Sequence, residues 1–413
     1  MTINRSLRQF FAATAVLVAI AAGTRILLRP SAPREQARQT SAASTSRAAL
    51  DEVITATRRR VAADPGDGEA AVRLADALMR AARVQADASL PLEAERVLRT
   101  TLKHAEDYTA RRMLAAVYLS QHRFAEGLDV ARQLQVSHPE DAWNYAVAGD
   151  ALLELGRYDE AFDMFDRAVG HRPDAGAYAR VAYAKELRGD LAGALDVMRM
   201  SAEATAPQDL EAQAWVHTQL GLLRLQLGGL DDAEREFARA DFLFPHHPYA
   251  LNGRIKLALA RGRYEEALRL NEQAPRTPES LAVRGDLQAR LGNRSAAEAA
   301  YVEAERLERD GWKSEQPQPG ALARFLAERD RNIPEAVQLA ERAAAERADI
   351  NTMDALAWSY FKAGRLKDAA VAIERALRTG TLDPRIRCHA AVIADARRTG
   401  TIHRCDLLNP AKA

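Results

Sequence analysis

Lysine and cysteine are both scarce in this chain, and the familiar catalytic motifs are missing from it. Lysine stands at only seven of 413 positions, so arginine carries most of the basic charge, and 58 basic residues face 57 acidic ones. This balance is spread along the chain rather than gathered in a stripe, which argues against nucleic acid as a partner. Two cysteines, Cys388 and Cys405, are too few for a disulfide-stapled scaffold. No G-x-S-x-G, no H-E-x-x-H and no phosphate-cradling glycine loop occurs. Nothing therefore points to an enzyme, and neither a cofactor nor a metal is expected.

What the chain has in abundance is a recurring small residue. Ala94, Gly127, Ala161, Ala194, Ala233, Ala267, Ala297, Ala336 and Ala369 follow one another at spacings of 33, 34, 33, 39, 34, 30, 39 and 33. A period in the low thirties marks an array of helical hairpins, each too small to bury its own apolar face and obliged to stack on a neighbour. The clearest units are residues 142–174 and 214–247. In the first, Gly149, Gly156, Tyr158, Ala161, Phe165, Ala168 and Pro173 recur at offsets matched in the second by Gly221, Gly228, Leu230, Ala233, Phe237, Ala240 and Pro245. Gly156 and Gly228 suit the turn between two antiparallel helices, Ala161 and Ala233 their crossing, and Phe165 and Phe237 the space between units. Pro173 and Pro245 stop the second helix.

Small residue, bulky aromatic, then proline at this period resembles the tetratricopeptide repeat family. The resemblance covers residues 69 to 400 and is weakest in the first unit and around residues 333–343, where Ala340 replaces the aromatic. The run from Met353 to Ala369, with Gly380–Pro384 and Cys388-His389-Ala390, is similar to the closing segment of bacterial membrane-anchored or exported members. The resemblance implies an all-α solenoid of about nine repeats wound as a right-handed superhelix. We expect residues 67–400 to form this solenoid, elongated and free of sheet, with an amphipathic capping helix at 48–66 and a tail at 401–413.

The N-terminus obeys separate physics. Arg5 and Arg8 precede an apolar stretch from Phe10 to Leu28, interrupted by Arg25, and Ala19-Ile20-Ala21 offers a small-x-small cleavage site. Nineteen residues suffice to cross a bilayer if Arg25 reaches back to the headgroups. Residues 1–29 are therefore read as a single-pass signal anchor that leaves the repeats outside the cytoplasm, with export after cleavage as the alternative. The Ser-, Ala- and Arg-rich residues 30–47 read as a flexible linker.

Chemistry-bearing motifs are few. Ser359-Tyr-Phe-Lys362 matches the S-x-x-K pair of serine acylases but lies mid-helix without its companion motifs. His246-His247, between Pro245 and Pro248, reads as a solvent-exposed turn rather than a metal site. Cys388 and Cys405 are expected as buried thiols, a disulfide being the alternative in an exported domain, and His389 as a packing residue.

Stacked hairpins present a concave face lined by the first helix of each pair, a surface suited to a protein or peptide partner. Trp143, Asp150, Tyr183, Trp215, Leu222, Tyr249, Asn252, Lys256, Trp358 and Phe361 fall on that stripe. Two readings of the aromatics stay open here, as partner anchors or as packing between repeats. The resulting expectation is a membrane-tethered interaction scaffold, with an accessory role in envelope assembly or secretion as its more specific form and an enzyme as the remote alternative. The sequence does not fix the oligomeric state.

Overall fold

The computed structural model describes residues 47–311, 318–400, 405, 406 and 408. The expected signal anchor and almost all of the linker lie outside the described residues. Within the described residues every regular element is an α-helix, and there is no strand. No helix among them is long and apolar enough to cross a membrane.

Helix α1 (Arg47–Ala63) precedes nine hairpins. These are α2 (Gly68–Gln85) with α3 (Ser89–His104), α4 (Tyr108–Ser120) with α5 (Phe124–Ser137), and α6 (Ala142–Glu154) with α7 (Tyr158–His171). Next come α8 (Ala175–Leu187) with α9 (Leu191–Ala204), α10 (Leu210–Gln226) with α11 (Leu230–Leu243), and α12 (Pro248–Ala260) with α13 (Tyr264–Asn271). The last three are α14 (Pro278–Arg290) with α15 (Arg294–Gly311), α16 (Pro319–Glu328) with α17 (Ile333–Glu346), and α18 (Ile350–Lys362) with α19 (Leu366–Ala376), after which α20 (Pro384–Thr399) continues the stack.

Local chemistry explains where these helices start and how closely they pack. Asp67, Asp107, Asp141, Asp174, Asp209 and Asp349 each accept a hydrogen bond from a backbone N–H in the first turn of a first helix, satisfying donors that helix cannot. At the crossings, Ala161, Ala194 and Ala233 are wholly buried. Phe237 is clasped between two glycines: a Cβ on Gly221 or Gly253 would stand 2.5 or 2.3 Å from its ring. Phe165 meets Gly149 in the same way, at 2.5 Å.

Successive coils of the array touch. The turn edge of the early hairpins lies against the linker edge of hairpins four to six units later. At one end of this seam, Arg80 reaches Asp209 at 3.3 Å, Arg83 reaches Glu211 at 3.0 Å, and Arg47 donates to the carbonyl of His246 at 3.0 Å. At the other, the backbone N–H of Ile350 donates to the Tyr158 hydroxyl at 2.8 Å, Arg347 lies 3.4 Å from Glu154, and Arg378 donates to the carbonyls of Gly156 and Ala348. Gly156 makes this approach possible: its φ is +76°, and a Cβ there would stand 2.5 Å from the Ala348 carbonyl. One apolar cluster consequently runs across the seam, joining Tyr158 and Phe165 to Ile350 and Ile373.

Candidate partner-binding face

First helices place a register of side chains on the inner face. Counted back eleven positions from the crossing residue, the nine hairpins carry Arg83, Ala116, Asp150, Tyr183, Leu222, Lys256, Asp286, Phe325 and Trp358. The next helical turn adds Glu154 and Glu186, at spacings of four and three. The position varies in size and polarity along the array: Phe325 and Trp358 are buried, whereas Tyr183 and Lys256 are exposed.

In the middle hairpins the column forms a polar patch. Arg180 of α8 grips Asp150 of α6 with bonds of 2.7 to 3.0 Å, and Gln226 of α10 donates to Glu186 at 2.6 Å. Burial pushes the Glu154 carboxyl above its ordinary range, with Asp349 and Asp150 adding to it and Arg347 opposing. Burial raises Glu186 likewise, helped by Asp383 and opposed by Gln226 and Lys256. The Tyr183 hydroxyl is pushed up by burial and by the neighbouring Glu154 and Glu186, although its side chain remains 41% exposed. Further along, Asp286 is held by Arg329 at 2.7 Å and by the Tyr301 hydroxyl at 2.9 Å.

The aromatics divide between surface and core. Tyr249 is exposed, Asn252 is half-buried and Lys256 is exposed on the same helix. Trp143 and Trp215 are half-buried: the Arg112 guanidinium lies 4.9 Å from the centre of one of the Trp143 rings, and Trp215 leans on the apolar cluster of Val216 and Leu220. Leu222 packs beside Phe237. Trp358 and Phe361 are not on the open face, being only 3% and 5% exposed. His389 of α20 stacks on Trp358 with ring centres 3.9 Å apart, and its Nδ1 lies 2.8 Å from Asp354. His389 is thus a packing residue held by a buried carboxylate.

Other chemical candidates resolve in the same structural terms. Lys362 pairs with Asp330 at 2.6 Å, and Ser359 is buried with no hydrogen-bond partner for its hydroxyl, so the S-x-x-K pair is not assembled for catalysis. His247 is not in an exposed turn but wholly buried, 3.5 Å from Glu211, because the coil seam closes over it. No group of three or more metal-ligating side chains occurs among the described residues. Cys388 and Cys405 are joined in a disulfide rather than standing as free thiols, with their Cα atoms 6.0 Å apart. A cleft of about 610 Å³, lined by Tyr158, Phe162, Arg188 and Arg378, opens beside the seam and contains none of the inner-face column.

Comparison with known proteins agrees with the repeat pattern. The family model described as tetratricopeptide repeat matches residues 147–209 and 218–280. Tetratricopeptide repeat protein 36 of Homo sapiens is 38% identical over 94 residues, 22% of this chain and 49% of that protein. Its Mus musculus counterpart is 37% identical over 94 residues, and the chain spans about half the length of both relatives. Among solved structures, the Cut9 and Hcn1 hetero-tetramer of APC/C aligns over 84% of this chain and 58% of that one, at 15% identity and a TM-score of 0.49. Yeast Tom70 aligns over 85% and 86%, at 15% identity and a TM-score of 0.44.

Proposed function

The chain belongs to the tetratricopeptide repeat family, and from that premise we propose that it acts as an interaction scaffold binding a protein or peptide along its inner face. The observation that carries this reading is the exposure of Tyr183, Tyr249 and Lys256 on the first helices α8 and α12. Tyr183 and Tyr249, 41% and 43% exposed, supply large amphipathic anchors. Replacing either tyrosine by alanine should weaken partner capture by about 2 kcal/mol while leaving the melting temperature nearly unchanged. Unaltered capture with both tyrosines removed would refute the assignment.

The apolar run of residues 10–28 supports tethering to a membrane as a single-pass anchor. The Cys388–Cys405 disulfide supports a compartment that oxidises thiols, and so a repeat domain outside the cytoplasm. Sedimentation with membranes that survives carbonate extraction is the expected result. A soluble form starting near Ala22 would replace the anchor by a cleaved signal.

A further inference from the structure

The cleft beside the seam is built from two turns that belong to different coils. It has a volume of about 610 Å³ and is walled by the first turn of α7, by Arg188 between α8 and α9, and by Arg378 and Thr379 after α19. Two glycines press these turns together. Gly189 and Gly380 have φ of +76° and +86°, and a Cβ on Gly189 would stand 2.7 Å from the Gly380 carbonyl oxygen. Arg188 and Arg378, one and two residues from that contact, are thereby brought to the same opening.

Both guanidiniums are positioned by aromatic rings rather than neutralised by carboxylates. Arg378 lies 5.0 Å from the Tyr158 ring centre, the Tyr158 and Phe162 ring centres are 6.1 Å apart, and Arg188 lies 3.9 Å from the Phe162 ring centre. Arg378 gives its hydrogen bonds to the carbonyls of Gly156 and Ala348, and neither arginine has an ion pair among the described residues. Asp166 feels the charge of Arg188 without pairing to it. On the α7 wall, Glu160 is already held by Arg157 in bonds of 2.5 and 2.6 Å, whereas the charge of Asp159 opposes a bound anion. The Thr379 hydroxyl is buried with no hydrogen-bond partner, and the N–H groups of the first turn of α7 have no side-chain cap. Hydrogen-bond donors thus come to this cleft from three separate places in the fold.

We propose that this cleft binds a phosphate or diphosphate group, free or borne by a larger molecule, through Arg188 and Arg378, and that the bound group bridges the two coils. A guanidinium offers a planar fork that suits phosphate and carboxylate oxygens alike. Donors from three places outnumber the two oxygens of one carboxylate, which favours phosphate. The volume falls within the roughly 300 to 1,000 Å³ of small-molecule sites. The cleft contains none of the inner-face column, so it can be filled while a partner occupies that face. A ligand held only when both arginines are in place stabilises the closed seam by mass action.

The test is isothermal titration of the full chain with inorganic pyrophosphate at about 0.15 M salt, where diffuse surface attraction is screened. Pyrophosphate should bind at one site, and Arg188→Gln should weaken it at least about tenfold. Arg378→Gln should do the same, but it also gives up the bonds to Gly156 and Ala348, so Arg188→Gln, with no ion pair to lose, decides. Asp159→Asn should tighten binding by removing the opposing charge. The Ile350 amide, which donates to Tyr158 beside the cleft, should exchange its hydrogen more slowly when pyrophosphate saturates the wild type, and not in Arg188→Gln. No binding, indifference to Arg188→Gln, or equally strong competition by succinate overturns the phosphate site, and unchanged Ile350 exchange overturns the bridging. Vesicles of phosphatidylcholine with phosphatidic acid separate the sources: attachment that pyrophosphate competes away assigns the group to a lipid headgroup, and pyrophosphate binding without attachment assigns it to a dissolved compound.

Discussion

Glu211 should make the first coil of the array acid-labile. Its carboxylate is almost wholly buried at the seam, with Arg83 at 3.0 Å and the His247 ring at 3.5 Å. Burial pushes its pKa up, but His247 and Arg83 outweigh that and bring it from an ordinary 4.5 down to about 2. A carboxylate whose folded pKa lies below its unfolded value contributes its full stabilisation above pH 4.5 and loses it as the pH falls through about 2. The difference corresponds to roughly 3 kcal/mol, at about 1.36 kcal/mol per unit. Most repeat arrays are stabilised only between neighbours and fray from their ends, but this contact ties α2 to α10 across the seam. Glu211→Gln should therefore lower the hydrogen-exchange protection of α2 and α3 by up to roughly a hundredfold at pH 7, with little effect on α18 and α19. The gap between variant and wild type should shrink steadily from pH 5 to pH 2. A gap of constant size across that range, or protection loss spread evenly over all hairpins, would refute the reasoning.

Two further outcomes check the packing. Phe237→Ala removes a fully buried ring clasped by Gly221 and Gly253 and should cost about 3 to 5 kcal/mol in thermal or denaturant melts; a loss below about 1 kcal/mol would contradict the clasp. Gly156→Ala and Gly262→Ala share the strain of a positive φ, +76° and +72°, about 1 to 2 kcal/mol each. Only Gly156 faces the Ala348 carbonyl across the seam, so X-ray scattering should report a larger radius for Gly156→Ala alone.

The repeats were legible because a period of about 33 residues is written into every hairpin by its crossing alanine. The inner face was legible in part: Asp150, Tyr183, Tyr249 and Lys256 emerge from helical spacing, Glu186 and Asp286 only when the register is counted back from those alanines, and Arg180 only from its contact with Asp150. Trp358 and Phe361 misled because an aromatic on a first helix reads the same in sequence whether or not a neighbour packs on it, and here both are buried and His389 of α20 stacks on Trp358. The seam left no trace in the sequence. Its contacts join residues 128 to 222 positions apart and carry no periodicity, so His247, flanked by prolines, read as an exposed turn. The bond between Cys388 and Cys405 likewise depends on the relative placement of two residues 17 positions apart, which no local pattern encodes.

The seam also sets a timetable. The Tyr158 hydroxyl waits for the backbone N–H of Ile350, 192 residues later in the chain. At about 5 to 20 residues per second, a ribosome needs roughly 10 to 40 seconds to deliver that partner after Tyr158 is made. During the interval the hairpins from α6 to α9 are long enough to stack on one another, yet the turn edge that will carry Ile350 and Arg378 stays open to water, with Tyr158 and Phe162 along it. An inserted or deleted repeat between α10 and α17 would move that edge out of alignment with its counterpart. The number of hairpins in this array is thereby constrained in a way that an open solenoid is not.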